Sequence, residues 1–378
     1  MQTIGKYCEY FDVDDKYFPC IDDSAIRNGA RWENTYPHET FIHLLDETEK
    51  MLAGTTRKSL WIHGAYGTGK SQCAYALKKI LEVPEDELKA YWDDYSPLKK
   101  HTALFNKLIG HKKRGIISAW RYASGSISTV QKLLLAVQES ISKALDESEQ
   151  GYKGQNTLRK SVIAWLEDET HAAFLDNLLR KPEWRSSFSQ SCAEDVVNSL
   201  KNNSDVTELM DNIFALAEKE GITALSLTTE SLREWIIDVI RENNNLKIVL
   251  VWDEFSDFFK QHRNSLGEFQ KIASICEEAP FYFVVVTHDG DYSLPGDSSW
   301  KVVQQRFSKV KIEMPDNVAF ELTAHAFSVK REMRDEWQSM VNDLAYETHD
   351  SSLAVMEAVN LANPETVKNI LPIPLWPR

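Results

Sequence analysis

Two apolar runs dominate the hydropathy pattern of the chain: Leu246-Lys-Ile-Val-Leu-Val-Trp252 and Phe281-Tyr-Phe-Val-Val-Val286. Neither alternates with polar residues over most of its length, which suits parallel strands covered on both faces. Three shorter runs add further strands: Leu60-Trp-Ile62, the stretch from Gly115 to Tyr122, and Lys309–Glu313. Between them apolar residues recur at helical spacing. Helices are predicted from His38 to Leu52 with Pro37 in the first turn, from Ser71 to Leu81, over 127–144 (Val130, Leu133, Leu134, Val137, Ile141) and over Leu266–Glu278. After Pro315 another helix is expected, with Val318, Leu322, His325, Val329 and Met333 in register. Residues 146–245 read as helical almost throughout, broken at Gly151, Gly154, Pro182 and Gly221, too long for a plain crossover between strands. The expected class is α/β with a parallel central sheet. Its core falls in two parts, 38–145 and 246–315, separated by a helical insertion at 146–245. An irregular acidic and aromatic arm, 1–37, precedes the core, and a helical unit with a tail, 316–378, follows it. No internal repeat or low-complexity tract interrupts this order.

The strand at 60–62 runs straight into Gly64-Ala-Tyr-Gly-Thr-Gly69-Lys70-Ser71, the Walker A spacing. The glycines let the backbone curl so that successive N–H groups converge on a phosphate, and the helix that follows aims its positive end at the same point. Contacts are therefore expected from Gly64, Ala65, Tyr66, Gly67, Thr68, Gly69, Lys70, Ser71 and Gln72. Lys70 would reach the β/γ-oxygens and the Ser71 hydroxyl would ligate Mg²⁺. A ligand-free glycine turn shares the spacing, but the flanking strand and helix favour the phosphate reading. The run at 246–252 ends in Asp253-Glu254, at the carboxyl edge where open α/β sheets place ligands. Asp253 fits a Mg²⁺ ligand acting through the ion's water shell. Glu254 fits the base that orients and deprotonates an attacking water.

Across roughly 30–345 the chain resembles AAA-type P-loop ATPases. The wording Trp61-Ile-His-Gly-Ala-Tyr-Gly-Thr-Gly-Lys-Ser71 with Trp252-Asp-Glu-Phe255 is similar to large ATPases of bacterial antiphage defence operons, the BREX system and its relatives. Those proteins are typically much longer, so a fragment or a compact relative is expected. The resemblance implies a three-layer P-loop sandwich, ATP rather than GTP, and assembly into a homo-oligomeric ring. It implies a sensor at the tip of the strand beside Asp253, with Thr287 the better-placed candidate and His288 the alternative. An arginine finger, Arg306, is implied just before the last core strand. Asn34–His38 would lie near the adenine, and 316–378 would form a helical lid whose Arg331 or Arg334 acts as a second sensor. The expected function is Mg²⁺-dependent ATP hydrolysis coupled to oligomer conformation in antiphage defence. The alternative is a slowly hydrolysing nucleotide switch that recruits a partner effector; Glu254 favours the enzyme. A small-molecule kinase fits the long insertion poorly, and Leu225-Ser-Leu-Thr lacks the glycines of an ABC signature.

Composition adjusts this picture little. A net charge of −14 argues against a broad nucleic-acid surface, leaving one basic run between Lys99 and Arg114 that reads first as a solvated helix end. The alternative for that run is a loop facing a ring pore or an acidic partner. Five scattered cysteines, Cys8, Cys20, Cys73, Cys192 and Cys276, show neither a disulfide framework nor metal spacing. No stretch approaches the ~20 apolar residues of a membrane span, and the first residues lack a signal-peptide core. A cytoplasmic protein is expected.

Overall fold

The computed structural model describes residues 7–13, 30–56, 58–124, 127, 129–148, 151–152, 158–203, 206–222, 225, 228–256, 258, 266–288, 303, 305–313 and 327–340. Seven strands lie among them: β1 (Phe11–Val13), β2 (Ser59–Gly64), β3 (Ile116–Tyr122), β4 (Lys247–Asp253), β5 (Phe281–His288), β6 (Phe307–Lys311) and β7 (Phe327–Val329). Five form one sheet in the order β3-β4-β5-β2-β6, and every pair in it is parallel. The two longest apolar runs, β4 and β5, are adjacent and central, which explains why neither alternates. β2, which carries the glycine loop, sits between β5 and β6, so β5 separates it from β4.

Side-chain parity divides the core into two layers. Ile248, Leu250 and Trp252 of β4, with Phe281, Phe283 and Val285 of β5, pack with the helices Val130–Glu147 and Thr229–Glu242. Val249 and Val251, with Tyr282, Val284 and Val286, face the other way, against Glu39–Ala53, Lys70–Glu82 and Thr102–Lys112. Helices between 158 and 219 contribute Leu166, Leu175, Val196 and Phe214 to the first of these layers, so the expected insertion shares its core with one face of the sheet. The basic run is largely consumed by internal pairs: Lys107 and His111 meet Glu49, Lys113 meets Glu85, and Lys112 donates to the Ile80 carbonyl at 2.6 Å.

The structure corrects three expectations. Pro37 lies before the helix rather than in its first turn, because His38 is the N-cap and its Nδ1 accepts the Phe41 N–H at 3.3 Å. The arm expected to be irregular contains β1, which pairs antiparallel with β7 over Phe11–Val13 and Phe327–Val329. Val329 lies in β7 rather than in the continuous helix expected through Val329 and Met333; a 3-10 turn follows at Arg331–Met333 and α-helix covers 334–340. Tyr10, Phe11 and Trp337 form a small separate core there, where an edge-to-face contact at 4.7 Å between Phe11 and Trp337 outweighs helical register. Asp14, Asp15, Asp22, Asp23, Cys20, the loop 290–299, Val318, Leu322, His325 and the tail 341–378 lie outside the described residues.

The end of β2 is held against the chain that follows β6. The Ile312 N–H donates to the His63 carbonyl at 2.8 Å, and a Cβ built on Gly64 would stand 2.3 Å from the Ile312 carbonyl oxygen. Gly64→Ala should therefore lower thermal stability by about 1–3 kcal/mol, since backbone rather than a flexible side chain blocks the methyl. Gly110→Ala, in open space on a helix, should be neutral or stabilising. Equal thermal midpoints for Gly64→Ala and the parent would contradict this packing.

Candidate functional site

Parity on β4 decides what its last residue meets. Val249 and Val251 face the Lys70–Glu82 helix, so Asp253 reaches the carboxyl edge on that same side. There its carboxyl is fully buried, at 0% exposure. Oδ1 accepts the Glu254 N–H at 2.9 Å, while Oδ2 is buried with no hydrogen-bond partner. Burial pushes the Asp253 carboxyl up to about 6, and the Glu254 charge adds to the rise. The Ser71 hydroxyl, the Glu254 N–H and the Lys70 ammonium pull it back down. A buried carboxylate oxygen without a donor is costly. Set beside a serine hydroxyl, it makes an all-oxygen donor pair of the sort that suits Mg²⁺, which uses few protein ligands and keeps several waters. The residues present thus fit the ion that the sequence implies.

The glycine loop supplies the other half. Gly67 and Gly69 hold φ of +81° and +82°, which side-chain-bearing residues rarely adopt. Gly69 is the N-cap of the Lys70–Glu82 helix, and no side chain caps that end. First-turn N–H groups and the positive end of the helix dipole are therefore offered at the loop. Lys70 is buried, and its ammonium donates to the Ala65 carbonyl at 2.8 Å; the Thr68 hydroxyl donates to the same oxygen at 3.0 Å. Ser71 and Gln72 are half-buried on the first helical turn. Tyr66 projects from the loop, 90% exposed, with its ring 5.9 Å from that of His288.

Glu254 leaves β4 in a left-handed conformation, φ +52°, a conformation that costs an ordinary residue about 1–3 kcal/mol. Its carboxylate oxygen Oε2 lies 3.4 Å from His288 Nε2. Thr287 has the opposite parity on β5: buried, it accepts the Trp61 indole N–H at 2.8 Å within the other layer. Of the two sensor candidates, the structure thus brings His288 to Glu254 and commits Thr287 to Trp61.

Arg306 is not brought to this group within the chain. Its carbonyl accepts the Ser59 N–H at 3.0 Å, at the amino end of β2, roughly 16 Å of strand from the loop. Its guanidinium pairs with Glu277. Segment Asn34–His38 packs on the loop's own helix, where His38 Nε2 is 3.6 Å from Cys73 Sγ, and on the next helix, Glu85–Asp94, whose Tyr91 donates to the Thr35 carbonyl at 2.6 Å. Burial holds His38 down to about 4 and pushes the Cys73 thiol up to about 12, so both are neutral there near pH 7. Arg331 and Arg334 are exposed beside the small core next to β1. A cleft of about 460 Å³ between the helices Thr229–Glu242 and Leu266–Ala273 shares no residue with the loop, and its charges are already paired as Arg233–Glu230 and Lys271–Glu268.

Sequence reading missed Ser124. Buried two residues beyond β3, it donates to the Glu254 carbonyl at 3.0 Å and accepts the Phe258 N–H at 3.0 Å. Nothing in Ala123-Ser-Gly-Ser126 distinguishes this serine from an ordinary loop residue; only the strand order reveals its neighbour. Comparison with protein-family models and with curated proteins finds no match for the chain.

The Asp253 carboxyl carries a pH signature. Its folded value, about 6, exceeds its ordinary 3.8, so the contribution is fully present at low pH and is lost as pH rises through that window. The loss amounts to about 3 kcal/mol by neutral pH. Asp253→Asn should remove this fall, so that its stability relative to the parent grows between pH 4 and 7 in metal-free chemical denaturation. Mg²⁺ should then stabilise the parent at pH 7 but not Asp253→Asn. Parallel pH curves for the two proteins would contradict the assignment.

Proposed function

We propose that this chain is a Mg²⁺-dependent ATPase of the P-loop, AAA-type class that couples nucleotide state to the conformation of a homo-oligomer. The observation that carries the reading is the buried, partnerless Oδ2 of Asp253, set with Ser71 under a glycine loop whose helix start has no side-chain cap. A lone glycine turn has no reason to accompany a desolvated carboxylate; a Mg²⁺–triphosphate site requires both. On this reading the loop N–H groups and Lys70 bind the β/γ-phosphates, and Lys70 exchanges the Ala65 carbonyl for phosphate oxygens. Ser71 and Asp253 hold Mg²⁺, which when bound supplies neutralisation of the charge developing on the phosphates. Glu254 orients the attacking water and accepts its proton. His288 holds the Glu254 carboxylate from β5. Asn34–His38, packed on the loop's helix, is the adjoining segment for the base. The choice of ATP, and of antiphage defence as the setting, rests on the resemblance in motif wording.

A second reading, a slowly hydrolysing switch that recruits a partner effector, is favoured by one feature. The Glu254 carboxylate and the Arg306 guanidinium are both already paired within the chain, with His288 and Glu277. A neighbouring subunit would have to draw Arg306 away from Glu277 before it could serve as a finger in trans.

Equilibrium binding and single-turnover cleavage test the proposal. Lys70→Ala should weaken ATP binding tenfold or more, on the order of the 1.5–3 kcal/mol of a charge-assisted contact. Glu254→Gln should bind ATP as the parent does and lose cleavage by about 100-fold or more. Mixing inactive Arg306→Ala with inactive Glu254→Gln should restore activity at interfaces that keep both groups. Parental cleavage by Glu254→Gln would overturn the role of Glu254 as the base, and absence of cleavage by the parent would overturn the enzyme reading. Absence of recovery in proven mixed oligomers would overturn the trans role of Arg306.

A further inference from the structure

Strands β3 and β4 are neighbours in register, with Tyr122 opposite Asp253. Both leave the sheet through a left-handed residue that is not glycine: Ala123 at φ +60° and Glu254 at φ +52°. Such a conformation persists only where surrounding bonds over-determine it. Here they do. The Ala123 N–H donates to the Asp253 carbonyl at 3.0 Å, and the Trp252 indole donates to the Ala123 carbonyl at 2.9 Å. On the other side, the Phe255 N–H donates to the Val286 carbonyl of β5 at 3.0 Å, and the Ser256 hydroxyl accepts the His288 N–H at 3.2 Å.

Among the described residues, the side chain that bonds both ends of the Glu254 turn is Ser124, only 1% exposed. Its hydroxyl donates to the Glu254 carbonyl and accepts from Phe258, whose backbone is already helical. Ser124 thus accepts the Phe258 N–H from beyond the neighbouring strand, as an N-cap side chain accepts one from within its own segment. Removing the hydroxyl would strip the Glu254 carbonyl of this donor and leave the Phe258 N–H without this acceptor, freeing the turn to relax toward ordinary backbone angles. The carboxylate that now stands 3.4 Å from His288 would move with it.

We propose that Ser124 is a positioning residue for Glu254: its doubly bonded hydroxyl locks the left-handed turn that aims the Glu254 carboxylate at His288. The inference rests on the reading of Glu254 as the base, and it adds a component from the segment just beyond β3. Ser124 touches no substrate on this account; it acts through the backbone of Glu254.

The test is a double-mutant cycle in single-turnover ATP cleavage, with equilibrium ATP binding measured alongside. Ser124→Ala should bind ATP as the parent does and cleave about 10- to 100-fold more slowly, the scale expected of a misplacement near 1 Å. In a Glu254→Gln background the same change should have no further effect, because the group it positions is already gone. Should Ser124→Ala fail to fold, Ser124→Cys keeps nearly the same volume while weakening both bonds, and should show the same non-additivity. Parental cleavage by the Ser124 variant, or an equal loss in both backgrounds, would overturn the positioning role while leaving the ATPase reading intact. Parental cleavage by Glu254→Gln alone would overturn Glu254 as the base and the positioning role with it, whereas absence of cleavage by the parent would overturn the ATPase reading itself.

Discussion

A single burial organises the carboxyl edge of this sheet: the Asp253 carboxyl, removed from water at the end of β4 with one oxygen unpartnered. Desolvation of this kind opposes the folded state unless a cation or proton compensates it. Strand parity makes it unavoidable, because the valines that pack β4 against the Lys70–Glu82 helix carry Asp253 to the same face. The Lys70 ammonium and Ser71 hydroxyl, both at the start of that helix, favour the charged form, so loop and acid are electrostatically one unit. On the proposed reading, the instability of this carboxylate is what makes a Mg²⁺ site.

Around that unit the structure spends backbone freedom on Glu254. The residue after the buried acid is turned left-handed and tied on both sides, to β3 through Ser124 and to β5 through the Phe255 N–H and His288. Strain concentrated at one acidic residue fits a side chain whose direction matters more than its stability. The Tyr66 ring stands tilted 5.9 Å from that of His288, which contacts Glu254, so the loop and the acid also approach through side chains. The proposed phosphate contacts and the proposed base are thus mechanically close.

Much of this was legible in the sequence. Continuous β-branched and aromatic runs marked β4 and β5 because both faces of those strands are covered, and the glycine spacing with Lys70 and Ser71 marked the loop. What escaped was what depends on strand order and parity. In the chain Thr287 reads as the better-placed sensor and His288 as the alternative, yet the pleat sends Thr287 to Trp61 and His288 to Glu254. Ser124 is distant from Glu254 in sequence and becomes its neighbour only because β3 pairs with β4. The helix expected through Val329 failed because β1, from the far end of the chain, offers strand pairing and an aromatic cluster that no local pattern announces.

The central claim is that a triphosphate and Mg²⁺ share the edge formed by the glycine loop and Asp253. A structure of the protein with a non-hydrolysable ATP analogue and Mg²⁺, by crystallography or electron cryo-microscopy, tests it most directly. The account predicts phosphates against the N–H groups of 65–71, Lys70 swung from the Ala65 carbonyl onto them, and a cation between the Ser71 hydroxyl and Oδ2 of Asp253. Nucleotide bound elsewhere, or Asp253 left without a cation while phosphates fill the loop, would contradict it.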